Sequence, residues 1–182
     1  MRLFFGLSLP QPVRDEVSRC ASACRDVIPG RYAPQENYHI TLAFLGDVPQ
    51  TRITDAESVL AASLQDFCAP RLTLGEISYF GRAHNAILIA RVHSEPALDP
   101  LHDALIMRLR AAGLPADFGP FSPHITLARH AAAEGVSFPS CAALSFVPSH
   151  AHLFLSARDE CSILRYTPLK TVHFASAPDG SR

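Results

Sequence analysis

Two copies of one five-residue string, His39-Ile40-Thr41-Leu42-Ala43 and His124-Ile125-Thr126-Leu127-Ala128, decide how this chain is read. His39 to Leu45 reads as a strand closed by Gly46-Asp47, and His124 to Ala128 as a strand after the Pro-rich loop Gly119 to Pro123. Side chains alternate faces along a strand, so His39 and Thr41 share one face while Ile40 and Leu42 share the other. The same holds for His124 and Thr126 against Ile125 and Leu127. Each copy therefore presents an imidazole and a hydroxyl on one side and two apolar anchors on the other. Polar groups turned toward a dry interior need partners. Two such faces turned toward each other make a cleft with two imidazoles and two hydroxyls.

That constellation suits phosphoryl chemistry by in-line displacement. One imidazole removes a proton from water, and the other gives a proton to the departing sugar oxygen. Histidine serves both roles because its ordinary pKa lies near neutrality. The threonine hydroxyls can donate to phosphoryl oxygens as charge builds. Arg129 follows the second copy directly and could hold a phosphate through two hydrogen bonds. Strict alternation puts Arg129 on the face opposite His124, so it reaches the cleft only from a strand end or a bulge. The first copy has Phe44 at the matching position, assigned by parity to the core face. The residues leave open which histidine is acid and which is base, since the copies are nearly equivalent.

Outward from the repeat, Arg2 to Leu9 reads as a first strand ended by Pro10. It has no basic leader or small-residue cleavage site, so it is not read as a signal peptide. Pro12 to Val27 reads as a helix with Val13, Val17, Cys20 and Cys24 on one stripe, and Thr51 to Leu64 as a second. Arg71 to Phe80 is a strand with a register change near Gly75, and Ala86 to His93 is another. Pro96 to Ala112 is a third helix, with Leu98, Leu101, Leu105 and Leu109 on one face and Gly113 as its stop. From Cys141 to Phe174 several strands are expected, with turns near Pro148, Asp159 and Pro168. The tail 176–182 is expected to be disordered. Strands and helices mix without regular βαβ alternation, which favours an α+β fold with antiparallel sheets.

The 182 residues suit one domain or two small lobes sharing a core; 48% are hydrophobic and 18% charged, enough to bury a core. A net charge of −1 excludes a strongly basic nucleic-acid coat but not a grip on one phosphate at a strand end. No run is long and apolar enough for a membrane helix. Five cysteines, at 20, 24, 68, 141 and 161, form no CxxC pair and are read as reduced thiols of a cytoplasmic protein.

Five blocks, RLFFGLSLP at 2–10, ENYHITLAFLGDV at 36–48, LHDALIMRLRAAGL at 101–114, FSPHITLAR at 121–129 and RYTPLK at 165–170, resemble in order those of the two-histidine (2H) phosphoesterases. The likeness is strongest to the bacterial and archaeal RNA 2′,3′-cyclic phosphodiesterases, historically called 2′-5′ RNA ligases. The resemblance implies one two-lobed domain spanning 1–182, its lobes related by a pseudo-two-fold axis. Each lobe would be an antiparallel sheet with outer helices, and the cleft would lie between the sheets. It implies His39 as proton donor, His124 as proton acceptor, Thr41 and Thr126 at the second motif positions, and Arg129 on the phosphate. It implies no metal and no cofactor, and a 2′-phosphomonoester product. The chain departs from the pattern at 157–164, where ARDECSIL stands in place of a Gly-rich turn.

The expected partner is an RNA end bearing a 2′,3′-cyclic phosphate, with tRNA fragments among the candidate RNAs, met by a monomer away from any membrane. Tyr32, Phe121 and Tyr166 are candidates for stacking on a base at the cleft rim. The remaining histidines are read as surface or packed residues. His150 and His152 share a strand face and offer two ligands of a zinc site, although no Cys or carboxylate stands at a completing spacing. Four readings compete: hydrolysis of an RNA cyclic phosphate; cleavage or formation of a 2′-5′ joint, or turnover of a small nucleotide cyclic phosphate, at the same site; binding of an RNA end without turnover; and a zinc hydrolase built on His150 and His152.

Overall fold

The repeated strings form the middle of one sheet. A computed structural model describes residues 1–117 and 119–175; the expected disorder of 176–182 lies outside the described residues. The strands are β1 (Arg2–Ser8), β2 (Arg31–Tyr32), β3 (His39–Asp47), β4 (Arg71–Arg82), β5 (Asn85–Glu95), β6 (His124–Ala131), β7 (Ser145–Phe146), β8 (His150–Arg158) and β9 (Leu164–His173). The helices are α1 (Gln11–Arg25), α2 (Ile53–Leu64) and α3 (Asp99–Ala111). The strands run in the order β7-β4-β5-β6-β3-β1-β8-β9, with β2 added beside β6.

This corrects the expectation of two sheets facing across a cleft. The halves are joined edge to edge through β3 and β6, where Ile40 pairs with Ile125 antiparallel. Those two isoleucines hold the same place in the two strings. The order reads the same outward from that junction: β3-β1-β8-β9 on one side and β6-β5-β4-β7 on the other. An antiparallel pairing of equivalent residues is what a two-fold axis through the junction requires. A curled antiparallel sheet results, with a concave face in place of an inter-sheet gap.

The helices cover the other face and bury the stripes their periodicity predicts. Val13, Val17, Cys20 and Cys24 of α1 and Leu101, Leu105 and Leu109 of α3 are all buried, with Leu98 just ahead of α3. Helix α3 starts at Asp99, three residues later than expected from Pro96. The helices cross the junction: α1 packs on β6 and α3 on β3. Leu3, Phe5 and Leu7 of β1 belong to the same core, as do Ile40, Leu42, Ile125 and Leu127.

Strand β4 has its register change between Leu74 and Ile77, as expected. Pro168 does not turn the chain. Strand β9 runs through it at an edge of the sheet, with a register shift against β8 between Leu153 and Phe154. An edge strand with a bulge tolerates a residue that lacks an N–H. The turn at 159–163 does without the expected glycines. The Asp159 carboxylate accepts from the amides of Cys161 at 3.0 Å and Ile163 at 2.9 Å and from Arg165 Nε at 3.0 Å, while Ser162 takes the left-handed φ of 61°.

Cys20 of α1 and Cys141 lie side by side, with Cα atoms 5.9 Å apart. The two are 121 residues apart in the chain, so nothing in their spacing announces the pair. Among the described residues, no helix is long and apolar enough to cross a membrane.

Candidate active site

The concave face holds a cleft of about 740 Å³, within the size range of ligand sites. His39, Thr41, His124, Thr126 and Arg129 all line it. The two copies place these residues by the same device. Opposite β1, Phe5 pairs with Ala43 and Gly6 with Thr41, which leaves Leu42 unmatched. Opposite β5, Leu88 pairs with Ala128 and Ile89 with Thr126, which leaves Leu127 unmatched. A bulged residue inverts parity beyond it. Arg129 is thereby turned onto the face of His124, the bulge its role required. Phe44 is turned onto the cleft as well, correcting its assignment to the core face.

The bulges leave Leu42 and Leu127 outside the β1 and β5 ladders, and their carbonyls are bonded from elsewhere. Leu42 O accepts from His102 Nδ1 of α3 at 2.7 Å, and Leu127 O accepts from the Ala33 amide at 2.8 Å. The second bond follows from β2, whose Tyr32 pairs with Ala128 and Arg31 with Arg129.

Both imidazoles are oriented identically. His39 Nδ1 donates to the Asn37 carbonyl and His124 Nδ1 to the Ser122 carbonyl, each at 2.7 Å. A carbonyl only accepts, so Nδ1 carries the proton and Nε2 is left with the lone pair. At His39 that lone pair takes the Thr41 hydroxyl at 3.1 Å.

Their surroundings differ. His39 sits among aromatics, with Phe4 at 4.7 Å, Tyr166 edge-on at 4.9 Å and Phe154 at 6.1 Å between ring centroids. Gly6 makes room for it: a Cβ there would meet Ile40 O at 2.9 Å and His39 Cδ2 at 3.5 Å. His124 has the edge of Phe80 at 4.9 Å. Burial pushes His39 down to about 4; the Asn37 carbonyl opposes this, and the charges of His124 and Arg129 add to it. Burial lowers His124 too, with Arg129 and Arg91 reinforcing it against the Ser122 carbonyl. Burial thus favours the neutral form of both imidazoles.

The electrostatics of the cleft are one-sided. Arg2, Arg31, Arg129 and Arg158 line it, and none of its described lining residues is acidic. Arg158 is tied to Ser162 O. Arg91, nearby on β5, is matched by Glu76 at 3.2 Å. Among the described residues, the side chains of Arg31 and Arg129 have neither ion pair nor hydrogen bond, although they lie opposite one another across β2 and β6. Like charges so placed repel, and an anion between them relieves that.

The aromatic candidates separate. Tyr166 of β9 lines the cleft against His39. Tyr32 lines it too, but Arg25 covers its ring at 4.9 Å and its hydroxyl donates to Ile28 O at 3.0 Å, with burial pushing that hydroxyl up to about 12. Phe121 stacks on His102 at 4.3 Å and does not line the cleft. His150 and His152 make hydrogen bonds to Ser8, Ser149 and Thr171. Among the described residues, the one group of His, Cys, Asp or Glu close enough to share an ion is Glu16 with the adjacent Cys20 and Cys141, away from His150 and His152.

Sequence reasoning missed Arg2, Phe4, Asn37, Phe80, Arg31 and Arg158. For Arg2 and Phe4 a signal existed, since β1 alternation puts them on one face with Gly6. For Arg31 and Phe80 the relevant neighbours, Arg129 and His124, are distant in the chain.

A curled antiparallel sheet with paired histidines on its concave face defines a two-histidine phosphoesterase-like class. Residues 9–148 match the sequence model of the 2′-5′ RNA ligase superfamily, and the chain belongs to that family. Its relatives include the RNA 2′,3′-cyclic phosphodiesterase of Escherichia coli (strain K12), 33% identical with 93% of this chain and 94% of that protein covered. Another is the RNA 2′,3′-cyclic phosphodiesterase of Geobacillus stearothermophilus, 30% identical over 97% of this chain; the chain spans 58% of that protein's length. The crystal structure of E. coli LigT complexed with 3′-AMP matches with a TM-score of 0.80 at 28% identity, over 96% of this chain and 98% of that one.

Proposed function

We propose that this protein, as a single two-lobed domain in the cytoplasm, hydrolyses the 2′,3′-cyclic phosphodiester at an RNA end to a 2′-phosphomonoester without a metal. The observation that carries the reading is the pair of imidazoles with Nδ1 committed to backbone carbonyls, lining a cleft that holds Arg129 and, among its described residues, no carboxylate.

His124 Nε2 takes a proton from water as the water oxygen attacks phosphorus. His39 gives a proton to the sugar 3′ oxygen as its bond to phosphorus breaks. Thr41 and Thr126 donate to the phosphoryl oxygens, and the Arg129 guanidinium holds them in a fork. His39 must be protonated to act, and burial favours its neutral form. The negative charge of a bound phosphate offsets the repulsion from Arg129 and raises the affinity of His39 for its proton. Binding thus arms the donor. Tyr166 supplies a ring wall for the terminal nucleoside. The E. coli relative solved with 3′-AMP supports a nucleotide as a ligand of this chain.

The test is incubation with an RNA ending in 2′,3′-cyclic phosphate in excess chelator, followed by identification of the end. A 2′-phosphate is expected. A 3′-phosphate product, or activity abolished by chelation, would sink the mechanism. Parallel incubations with a 2′-5′-linked dinucleotide separate hydrolysis of cyclic ends from action on 2′-5′ joints.

A further inference from the structure

The cleft carries more positive charge than one phosphate between two imidazoles requires. Arg129 serves that phosphate: its charge acts on His39, on His124 and on Tyr166. Arg2 enters from the other half, at the head of β1. Its guanidinium lies over the Phe44 ring, 5.0 Å from the centroid. Phe44 stands five residues after His39, and Arg129 stands five residues after His124. Each half therefore puts a guanidinium at the corresponding place, directly in one case and by seating it on a ring in the other.

Arg2 has no ion pair or hydrogen bond from its side chain among the described residues, and its charge acts on Tyr166. A guanidinium stacked on a ring uses its face, so the N–H edge stays available for an acceptor. No carboxylate lies in the described wall; Asp47 stands opposite Arg2 in the strand register without forming an ion pair with it, so the N–H edge of Arg2 is open to an incoming anion.

We propose that Arg2, seated on Phe44, is a second phosphate site that holds the internucleotide phosphodiester next to the terminal cyclic phosphate. It thereby selects RNA chains over cyclic mononucleotides. This rests on the reading of the cleft given above and adds the substrate class. A cyclic mononucleotide has one phosphate and fills only the Arg129 place. An oligonucleotide has a second phosphate and fills both.

The experiment compares Arg2→Gln with the unaltered protein on two substrates, a short RNA ending in 2′,3′-cyclic phosphate and a nucleoside 2′,3′-cyclic phosphate. For the RNA, KM should rise about tenfold with kcat little changed, the loss of one charge-assisted contact. Loss of kcat/KM should be at least about fivefold larger for the RNA than for the mononucleotide. The dependence of RNA binding on salt should become shallower by about 0.7 in log–log slope, one phosphate contact fewer. Phe44→Leu, which keeps Arg2 but removes its seat, should move KM for the RNA in the same direction. Equal losses on both substrates, or none on either, overturn the proposal. An unaltered protein inactive on both substrates overturns the hydrolase reading instead, so the two failures are distinct.

Discussion

His39 and His124 occupy one position in one repeated string, and each donates Nδ1–H to the carbonyl two residues earlier. What stands behind that carbonyl differs. Behind His124 it is covalent geometry: Ser122 precedes Pro123, and a residue before proline is confined to extended backbone. Behind His39 it is tertiary structure. Asn37 is buried, and its Nδ2 donates to Leu164 O at 2.7 Å, just after the turn built by Asp159. The bulges repeat the contrast. Leu127 O is bonded by the backbone of the nearby strand extension and Leu42 O by a side chain from α3. Packing differs as well, with three aromatic rings around His39 against one at His124. The same local sequence thus yields the same imidazole orientation by two routes, and surroundings alone separate the chemical characters of the two rings.

The largest expected effect tests whether both halves are needed. His39→Ala and His124→Ala should each lower kcat on an RNA cyclic phosphate by two or more orders of magnitude, roughly the contribution of one general acid or base. A normal rate in either variant breaks the two-histidine scheme.

A smaller effect separates the two supports. Asn37→Ala removes a buried hydrogen bond and leaves the Leu164 carbonyl without its side-chain donor, at about 1–2 kcal/mol of stability. Loosening of His39 should lower kcat about tenfold with little change in KM. Ser122→Ala keeps the carbonyl and Pro123, and should change kcat less than about twofold, as unstrained substitutions do. Equal kcat losses in the two variants would show that the supports are not different in kind.

A third effect is on stability against pH. His39 is held at about 4 in the folded chain against an ordinary 6.5. Between those values the unfolded chain binds more protons, so stability rises with pH there. Its contribution is complete above about pH 6.5 and is lost as pH falls toward 4. Urea midpoints at pH 7 and pH 5 should therefore differ less in His39→Asn than in the unaltered protein. His152, also pushed down to about 4 by burial and His150, contributes equally to both and cancels from the comparison. An unchanged pH dependence would mean that His39 is not desolvated.

The sequence by itself determined the strands of the repeat, the helices and their buried stripes, the pairing of each histidine with a threonine, and the need for a strand end or a bulge to bring Arg129 to the cleft. These depend on periods of two and 3.6 residues and on chemistry within a few positions, which a linear string records. Tertiary structure decided that the two lobes share one sheet, that Phe44 faces the cleft and Phe121 does not, and that Cys20 meets Cys141. It also decided that Arg2 joins the site through Phe44. Each of these depends on a register slip or on a contact across many residues. A slip of one residue reverses every face beyond it, and no local preference at Leu42 or Leu127 announces one. The repeat specified the histidine pair; the curl of the sheet and the bulges at Leu42 and Leu127 specified which charges surround it.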